Sequence, residues 1–241
     1  MATTSGDLYD PTFVKGMFDR MSNTYGLANL VTSFGFTAVW RYQCIAALPV
    51  SEARTAGYDL MSGMGESWPA IQRRFGKDVR IMAVDISDEM NHKARRNIQR
   101  HGYQKIKLRQ LNILDHDLPE ESAEFIVSTF GLKTFSLVQQ EALAKEMARL
   151  LKPGGAFSLI EISEPRPRIL KWLYMFYLKV VIPWIGKVFL GNKEDYRMLG
   201  KYCEHFKNSR DFYRYLKAYG MEVSYKSYFF GCATGVYGIK R

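Results

Sequence analysis

The chain has 241 residues, 47% of them hydrophobic and 24% charged, which suits one large α/β domain with a full core and excludes a low-complexity protein. Basic residues outnumber acidic ones by 34 to 24, a formal net charge of +10, so charge alone points to nucleic acid, an anionic membrane surface or an acidic substrate. Cys44, Cys203 and Cys232 are odd in number and far apart; they show neither a disulfide framework nor a metal-ligand spacing, and a reducing compartment is expected.

The stretch MATTSGDLYDP has none of the charged and apolar regions of a signal peptide, so a cytoplasmic location is expected. Phe13, Val14, Met17, Phe18 and Met21 recur at helical spacing, and further apolar runs follow at Leu27 to Phe36 and Val39 to Leu48. Two or three helices thus precede the first strand and cover the cleft. That strand is Ala56 to Ser62, short and apolar, followed at once by Gly63-Met64-Gly65-Glu66, a helix, and a second strand from Val79 to Val84 that ends in Asp85. The next helix opens at Ser87-Asp88-Glu89 and stops at Gly102. Its acids come first and its bases last, as the helix dipole favours, so Lys93, Arg95, Arg96 and Arg100 read as a solvated face.

A strand near Ile106 to Leu111 leads into the loop Asn112 to Pro119, where such folds grip a base. Glu124 to Phe130 is a fourth strand, Leu137 to Leu151 an amphipathic helix, and Lys152-Pro153-Gly154-Gly155 a sharp turn into the strand Ala156 to Ile162. After Pro165 and Pro167 the pattern changes. Ile169 to Leu190 is apolar and aromatic but interrupted by Lys171, Lys179, Pro183 and Lys187. A membrane span wants about 20 residues with few or no charges, so a cap helix or interfacial segment is expected instead. A helix from Arg210 to Ala218, ended by Gly220, precedes two closing strands, Glu222 to Phe230 and Ala233 to Lys240. Strands alternating with helices predict a mostly parallel sheet in one domain, residues 1–241, with a helical cap over 1–50 and a cap insertion over 165–210.

The stretch from Ala56 to Asp85 carries the chemistry. Glycine at positions 63 and 65 permits positive φ and close approach of a ligand to the backbone, and an acid at the end of the second strand can reach ribose hydroxyls. A dinucleotide site would need a third glycine, but Gly65 is followed by Glu66-Ser67-Trp68. Asp59 and Glu66 flank the turn; acids there repel phosphate and suit a cation such as the ammonium and sulfonium of S-adenosylmethionine. No metal site is expected.

The chain resembles the class I S-adenosylmethionine-dependent methyltransferases, and within them the ubiquinone/menaquinone biosynthesis C-methyltransferases, from about Val14 to the end. Phe18-Asp19, Tyr25 with Asn29, Ser33-Phe34-Gly35 and Trp40 match that family's N-terminal pattern. Asp59-Leu60 with Gly63, Gly65 and Glu66 match its cofactor loop. Phe130-Gly131-Leu132, Leu151 to Gly155, Ile182-Pro183 with Ile185-Gly186, and Tyr196 with Leu199 match further stretches. The resemblance implies a Rossmann-like seven-stranded α/β sheet with helices on both faces, N-terminal helices and a cap segment over the cleft. It implies that Gly63 and Gly65 close on the methionine part while Asp59 and Glu66 face its cationic side. Asp85 would bind the ribose diol, Ile86 would pack on adenine, Asn112 and Ile113 would border its edge, and Phe130 would line the cleft.

Where the family reads Ser-Phe-Gly-Leu/Ile-Arg-Asn, this chain reads Thr129-Phe130-Gly131-Leu132-Lys133-Thr134, and Thr37-Ala38 replaces the His-Arg before the tryptophan. Lysine keeps the charge and loses the planar fork. Lys133 is therefore the first catalytic candidate, as stabiliser of a phenolate or as base, and His116 the second. Tyr25, Tyr196, Tyr202 and His205 are expected near the substrate. The function expected is methylation of a small lipophilic acceptor, at a ring carbon of a quinone or phenol. The alternative is methylation at carbon, oxygen or nitrogen of a specialised natural product, followed by methylation of RNA. A membrane-associated accessory protein that binds the cofactor without turnover is a third reading. Peripheral membrane contact and no nucleic-acid partner are expected, and a homodimer is left open.

Overall fold

The computed structural model describes residues 7–49, 54–189 and 193–241. Seven strands form one sheet: β1 (Ala56–Leu60), β2 (Arg80–Asp85), β3 (Ile106–Gln110), β4 (Ala123–Thr129), β5 (Leu151–Ile162), β6 (Met221–Tyr228) and β7 (Ala233–Lys240). Their order is β3-β2-β1-β4-β5-β7-β6. The first five run parallel, and β7 lies antiparallel between β5 and β6.

Side-chain alternation along the strands divides the core. Tyr58, Leu60, Val84, Ile126 and Leu159 pack under α5 (Leu137–Leu150) and α9 (Arg210–Ala218). Ile81, Ala83, Phe125 and Val127 face the other way, under α2 (Phe36–Ala46), α3 (Trp68–Phe75) and α4 (Asp88–His101). Capping fixes where these helices begin. The Ser87 hydroxyl accepts from the Met90 N–H at 3.1 Å, and Ser136 and Gln139 form a reciprocal capping box on α5.

Among the described residues the N-terminal helices are α1 (Pro11–Thr32) and α2, joined by a short turn in which Gly35, at φ 78°, is the N-cap of the second. The apolar segment after Pro167 is α6 (Arg168–Phe176), a π-helical turn over Tyr177–Val181, and α7 (Ile182–Phe189). Pro183 has no N–H to give the carbonyl four residues back, so the turn before it widens; the Ile182 N–H bonds to the Tyr177 carbonyl instead.

Two expectations need correction. The Lys152-Pro153-Gly154-Gly155 turn is part of β5, a bulge at which the register jumps from Ala123↔Leu151 to Phe125↔Ala156. A further helix, α8 (Lys193–Phe206), follows the cap segment; the cap insertion expected over 165–210 did not separate it. The side chains of Tyr25 and Lys187 lie outside the described residues.

Candidate active site

Strand order reverses between β1 and β4, and a doubly wound sheet opens a crevice at the carboxyl ends of such strands. The segments that leave those ends line it: Ser62, Gly63 and Glu66 after β1, Asp85 and Ile86 after β2, Asn112 and Ile113 after β3. Tyr9, Val14 and Phe18 from the N-terminal segment cover it. Met61 (φ 52°) and Phe130 (φ 68°) both adopt the left-handed conformation at adjacent strand ends. Such strain costs non-glycine residues about 1–3 kcal/mol each and collects at functional sites.

Gly63 and Gly65 have φ of 57° and 90°. A Cβ on Gly65 would lie 2.4 Å from the indole of Trp68, which is fully buried. The Gly63 N–H donates to Asp85 Oδ2 at 2.8 Å and the Ser87 N–H to Oδ1 at 2.9 Å, so the second-strand acid is locked toward the glycine turn. Burial pushes the Asp85 carboxyl up to about 6, against these two hydrogen bonds and with help from nearby Glu66 and Asp19.

Glu66 accepts the Met64 N–H on Oε2 at 3.1 Å, while its buried Oε1 has no hydrogen-bond partner and stands 3.9 Å from the Arg41 guanidinium. Arg41 comes from α2, lies over the Phe130 ring at 5.2 Å and lines the same crevice. Asp59 sits behind this pair and does not line the crevice. It is 1% exposed, and neither carboxylate oxygen has a hydrogen-bond partner. Burial, then Glu66, raises its pKa well above the carboxylate range, while the nearby Trp68 indole and Arg41 act the other way.

These residues fit S-adenosylmethionine. The glycine turn leaves room at the backbone, Asp85 can accept two ribose hydroxyls, and an unsatisfied acid beside a guanidinium matches a zwitterionic methionine end. Ile86 and Ile113 offer apolar surface to a base, and Asn112 lines the same crevice.

A second cavity, of about 330 Å³, lies against the first with Phe130 as the shared wall. It is framed by α2, the α6–α7 segment and α8, and its lining is mostly aromatic and aliphatic. Lys133 lies at its inner end, 5% exposed. Its Nζ donates to Glu161 Oε1 at 2.9 Å and to the Phe130 carbonyl at 2.7 Å, and its N–H donates to Glu161 Oε2. Tyr196 lines this cavity, with its hydroxyl 2.9 Å from Thr24 Oγ1.

The structure does not bring every candidate to the two cavities. His116 packs inward on α5: its Nδ1 accepts the Leu118 N–H and its Nε2 lies 3.1 Å from Glu146. The Tyr202 hydroxyl donates to the Leu8 carbonyl, and the Tyr9 hydroxyl stands 3.4 Å from His205 Nδ1, so both candidates brace the N-terminal segment. Sequence reasoning missed Arg41 and Glu161. An acid inside the apolar run Ala156 to Ile162 was a readable signal for Glu161; Arg41 had none.

The model of the ubiE/COQ5 methyltransferase family matches residues 4–240. Demethylmenaquinone methyltransferase of Bacillus velezensis is 27% identical over 228 residues, 94% of this chain and 97% of that one. Ubiquinone/menaquinone biosynthesis C-methyltransferase UbiE of Rickettsia prowazekii is 29% identical, over 89% of this chain and 87% of its own. Among solved structures, a SAM-dependent methyltransferase of Thermotoga maritima superposes with a TM-score of 0.65 at 18% identity, covering 94% of this chain and 99% of that one, a likeness of fold. With a family match over nearly its whole length, the chain belongs to the ubiE/COQ5 methyltransferase family and is an S-adenosylmethionine-dependent methyltransferase.

Proposed function

We propose that the enzyme methylates a ring carbon of a small lipophilic quinone- or phenol-type acceptor held in the 330 Å³ cavity. The observation that carries this reading is the shared wall: Phe130 borders both the cofactor crevice and an apolar cavity whose inner end holds a cation. S-adenosylmethionine supplies an electrophilic methyl group on a sulfonium. The protein aligns acceptor and donor and excludes water. Asp85 would hold the ribose diol, Glu66 the methionine ammonium and Arg41 its carboxylate. Lys133 offers positive charge to the ring oxygen, which must ionise before an adjacent carbon can attack. That carbon would take the methyl of bound S-adenosylmethionine, the carbon–sulfur pair staying on sulfur, and the displaced ring proton would pass to bulk water.

Two relatives named for menaquinone or ubiquinone biosynthesis support a quinone precursor. The lysine at 133 and Thr37-Ala38 favour a second reading, a specialised phenolic natural product, because these positions depart from the family pattern. Methyl transfer from labelled cofactor to a panel of reduced quinones and lipophilic phenols decides the matter. Label fixed to carbon in a demethyl-quinol supports the first reading. Label only on other phenols supports the second. No transfer to any acceptor by protein that binds the cofactor would overturn both and leave an accessory role.

A further inference from the structure

We propose that the Phe130 ring is a gate between the cofactor crevice and the acceptor cavity, and that Arg41 couples this gate to the methionine end of the cofactor. The cofactor then binds first and opens the way for the acceptor. The proposal rests on the acceptor reading above and adds how its two cavities communicate.

Methyl transfer needs the reacting atoms about 3–3.5 Å apart and in line. The two cavities are separate, however. Among the described residues Phe130 is the one common to both linings, and it is 5% exposed. The ring therefore stands where donor and acceptor must meet, and it has to turn aside before they can.

That turn is confined to the side chain, because the backbone is held on both sides. The Phe130 N–H donates to the Ile160 carbonyl at 2.9 Å, and the Phe130 carbonyl accepts from Lys133 Nζ at 2.7 Å. The next residue is packed as closely, since a Cβ on Gly131 would lie 2.4 Å from the Met61 Cβ. A fixed backbone leaves the ring its staggered rotamers. The acceptor cavity, of about 330 Å³, gives room for a second one.

What holds the ring is α2. Trp40 lines the acceptor cavity and shares a buried cluster with Phe130. Its neighbour Arg41 lines the cofactor crevice and places its guanidinium 5.2 Å from the ring centre. A cation over a ring face is a weaker contact than a charge-assisted hydrogen bond to a carboxylate. Arg41 Nε is buried without a hydrogen-bond partner, and Glu66 stands 3.9 Å from the guanidinium. A methionine carboxylate therefore draws Arg41 from the ring, and the ring is released. By reciprocity an occupied acceptor cavity raises cofactor affinity by the same factor. The arrangement joins the two halves of the reaction only when the methyl donor is in place.

Fluorine NMR of protein carrying 4-fluorophenylalanine in place of Phe130 reads the ring directly, with no turnover and no change to its neighbours. S-Adenosylhomocysteine, which has the whole methionine end and no transferable methyl, should shift the resonance at saturation. 5′-Methylthioadenosine, which fills the adenosine part and lacks the amino acid, should leave it in place. In Arg41→Met the resonance should be the same with and without S-adenosylhomocysteine. 2-Naphthol, followed by its fluorescence, should bind at least about fivefold more tightly to wild type saturated with S-adenosylhomocysteine than to protein without it. Arg41→Met should remove that difference. A resonance that ignores S-adenosylhomocysteine overturns the gate. One that responds alike to both nucleosides, or still responds in Arg41→Met, overturns the coupling, and equal naphthol affinity in both states overturns the binding order. If the resonance behaves as expected and 2-naphthol binds in neither state, the acceptor reading fails and the gate stands.

Discussion

Lys133 Nζ stands 2.9 Å from Glu161 Oε1 in a pair that is almost wholly buried, with side-chain exposures of 6% and 0%. The cation at the inner end of the acceptor cavity is therefore held by an acid inside the sheet, and its position is set by β5 as much as by its own loop. Removing one partner of such a pair leaves an unpaired buried charge, which costs about 3–5 kcal/mol. Lys133→Met is accordingly expected to lower stability in denaturant titration as well as turnover. Lys133→Met with Glu161→Gln should recover most of the stability and none of the turnover, the loss of one stabilising charge being about 10²-fold or more. Turnover restored along with stability would place Lys133 in the architecture alone.

The glycine turn separates two costs of adding a methyl group. Gly65→Ala meets both a positive φ and the Trp68 ring at 2.4 Å. Gly102→Ala meets only the positive φ of a helix C-terminus, with nothing within 4 Å. Strain alone amounts to about 1–2 kcal/mol, and a forced shift in a packed core adds about 1–3 kcal/mol. Gly65→Ala should therefore destabilise clearly more than Gly102→Ala, and it alone should weaken cofactor binding. Equal losses would mean that Trp68 moves freely, contrary to its burial.

Much of this site was legible because its signals are local. The spacing of Gly63, Gly65 and Asp85 within one βαβ unit identified the crevice, and the hydrogen bond from Gly63 to Asp85 is the contact that this spacing makes. Asp59 was read as facing the ligand. Alternation along β1 instead sends it to the side opposite Tyr58 and Leu60, behind Glu66, where it does not reach the crevice. The partners that the sequence hid are distant ones. Glu161 lies 28 residues from Lys133, and Arg41 reaches Glu66 from a helix on the other side of the first strand. Tyr202 and His205 showed the helical spacing that the cap segment shares, and spacing does not say which neighbour a helix faces. They turned to Tyr9 and Leu8.

Asp85 gives the site a pH dependence. Its carboxyl is raised from 3.8 to about 6 in the folded protein. A raised acid holds its proton more tightly when folded, so its contribution to stability is fully favourable below about pH 4 and is lost as pH rises through about 6. Cofactor binding runs the other way, since two ribose hydroxyls need the ionised form as acceptor. Affinity for S-adenosylmethionine should fall by up to about tenfold per pH unit below pH 6, the limit for one proton. Calorimetry from pH 5 to pH 8 checks this, with Asp85→Asn as the control that binds weakly and without that slope. A flat profile in the wild type would mean that another group carries the ribose contact.

The last prediction concerns how the methionine end is read. Arg41 and Glu66 are 3.9 Å apart, too far for a hydrogen bond, and Arg41 Nε and Glu66 Oε1 are both buried without a hydrogen-bond partner. Unsatisfied buried polar groups of opposite charge cost stability unless something completes them. A bound amino acid end does so, carboxylate to Arg41 and ammonium to Glu66. Decarboxylated S-adenosylmethionine keeps the ammonium and lacks the carboxylate, so it separates the two contacts. Arg41→Met should weaken S-adenosylmethionine by roughly 10- to 100-fold, the scale of a hydrogen bond to a charged group, and leave the decarboxylated analogue within about twofold. Glu66→Gln should weaken both ligands alike, because both carry the ammonium. Thermal denaturation of the ligand-free variants guards against a trivial cause, since Arg41 also covers the Phe130 ring, a contact of about 0.5–1 kcal/mol. Equal weakening of both ligands by Arg41→Met would mean that the guanidinium holds Phe130 in place and leaves the carboxylate to another donor.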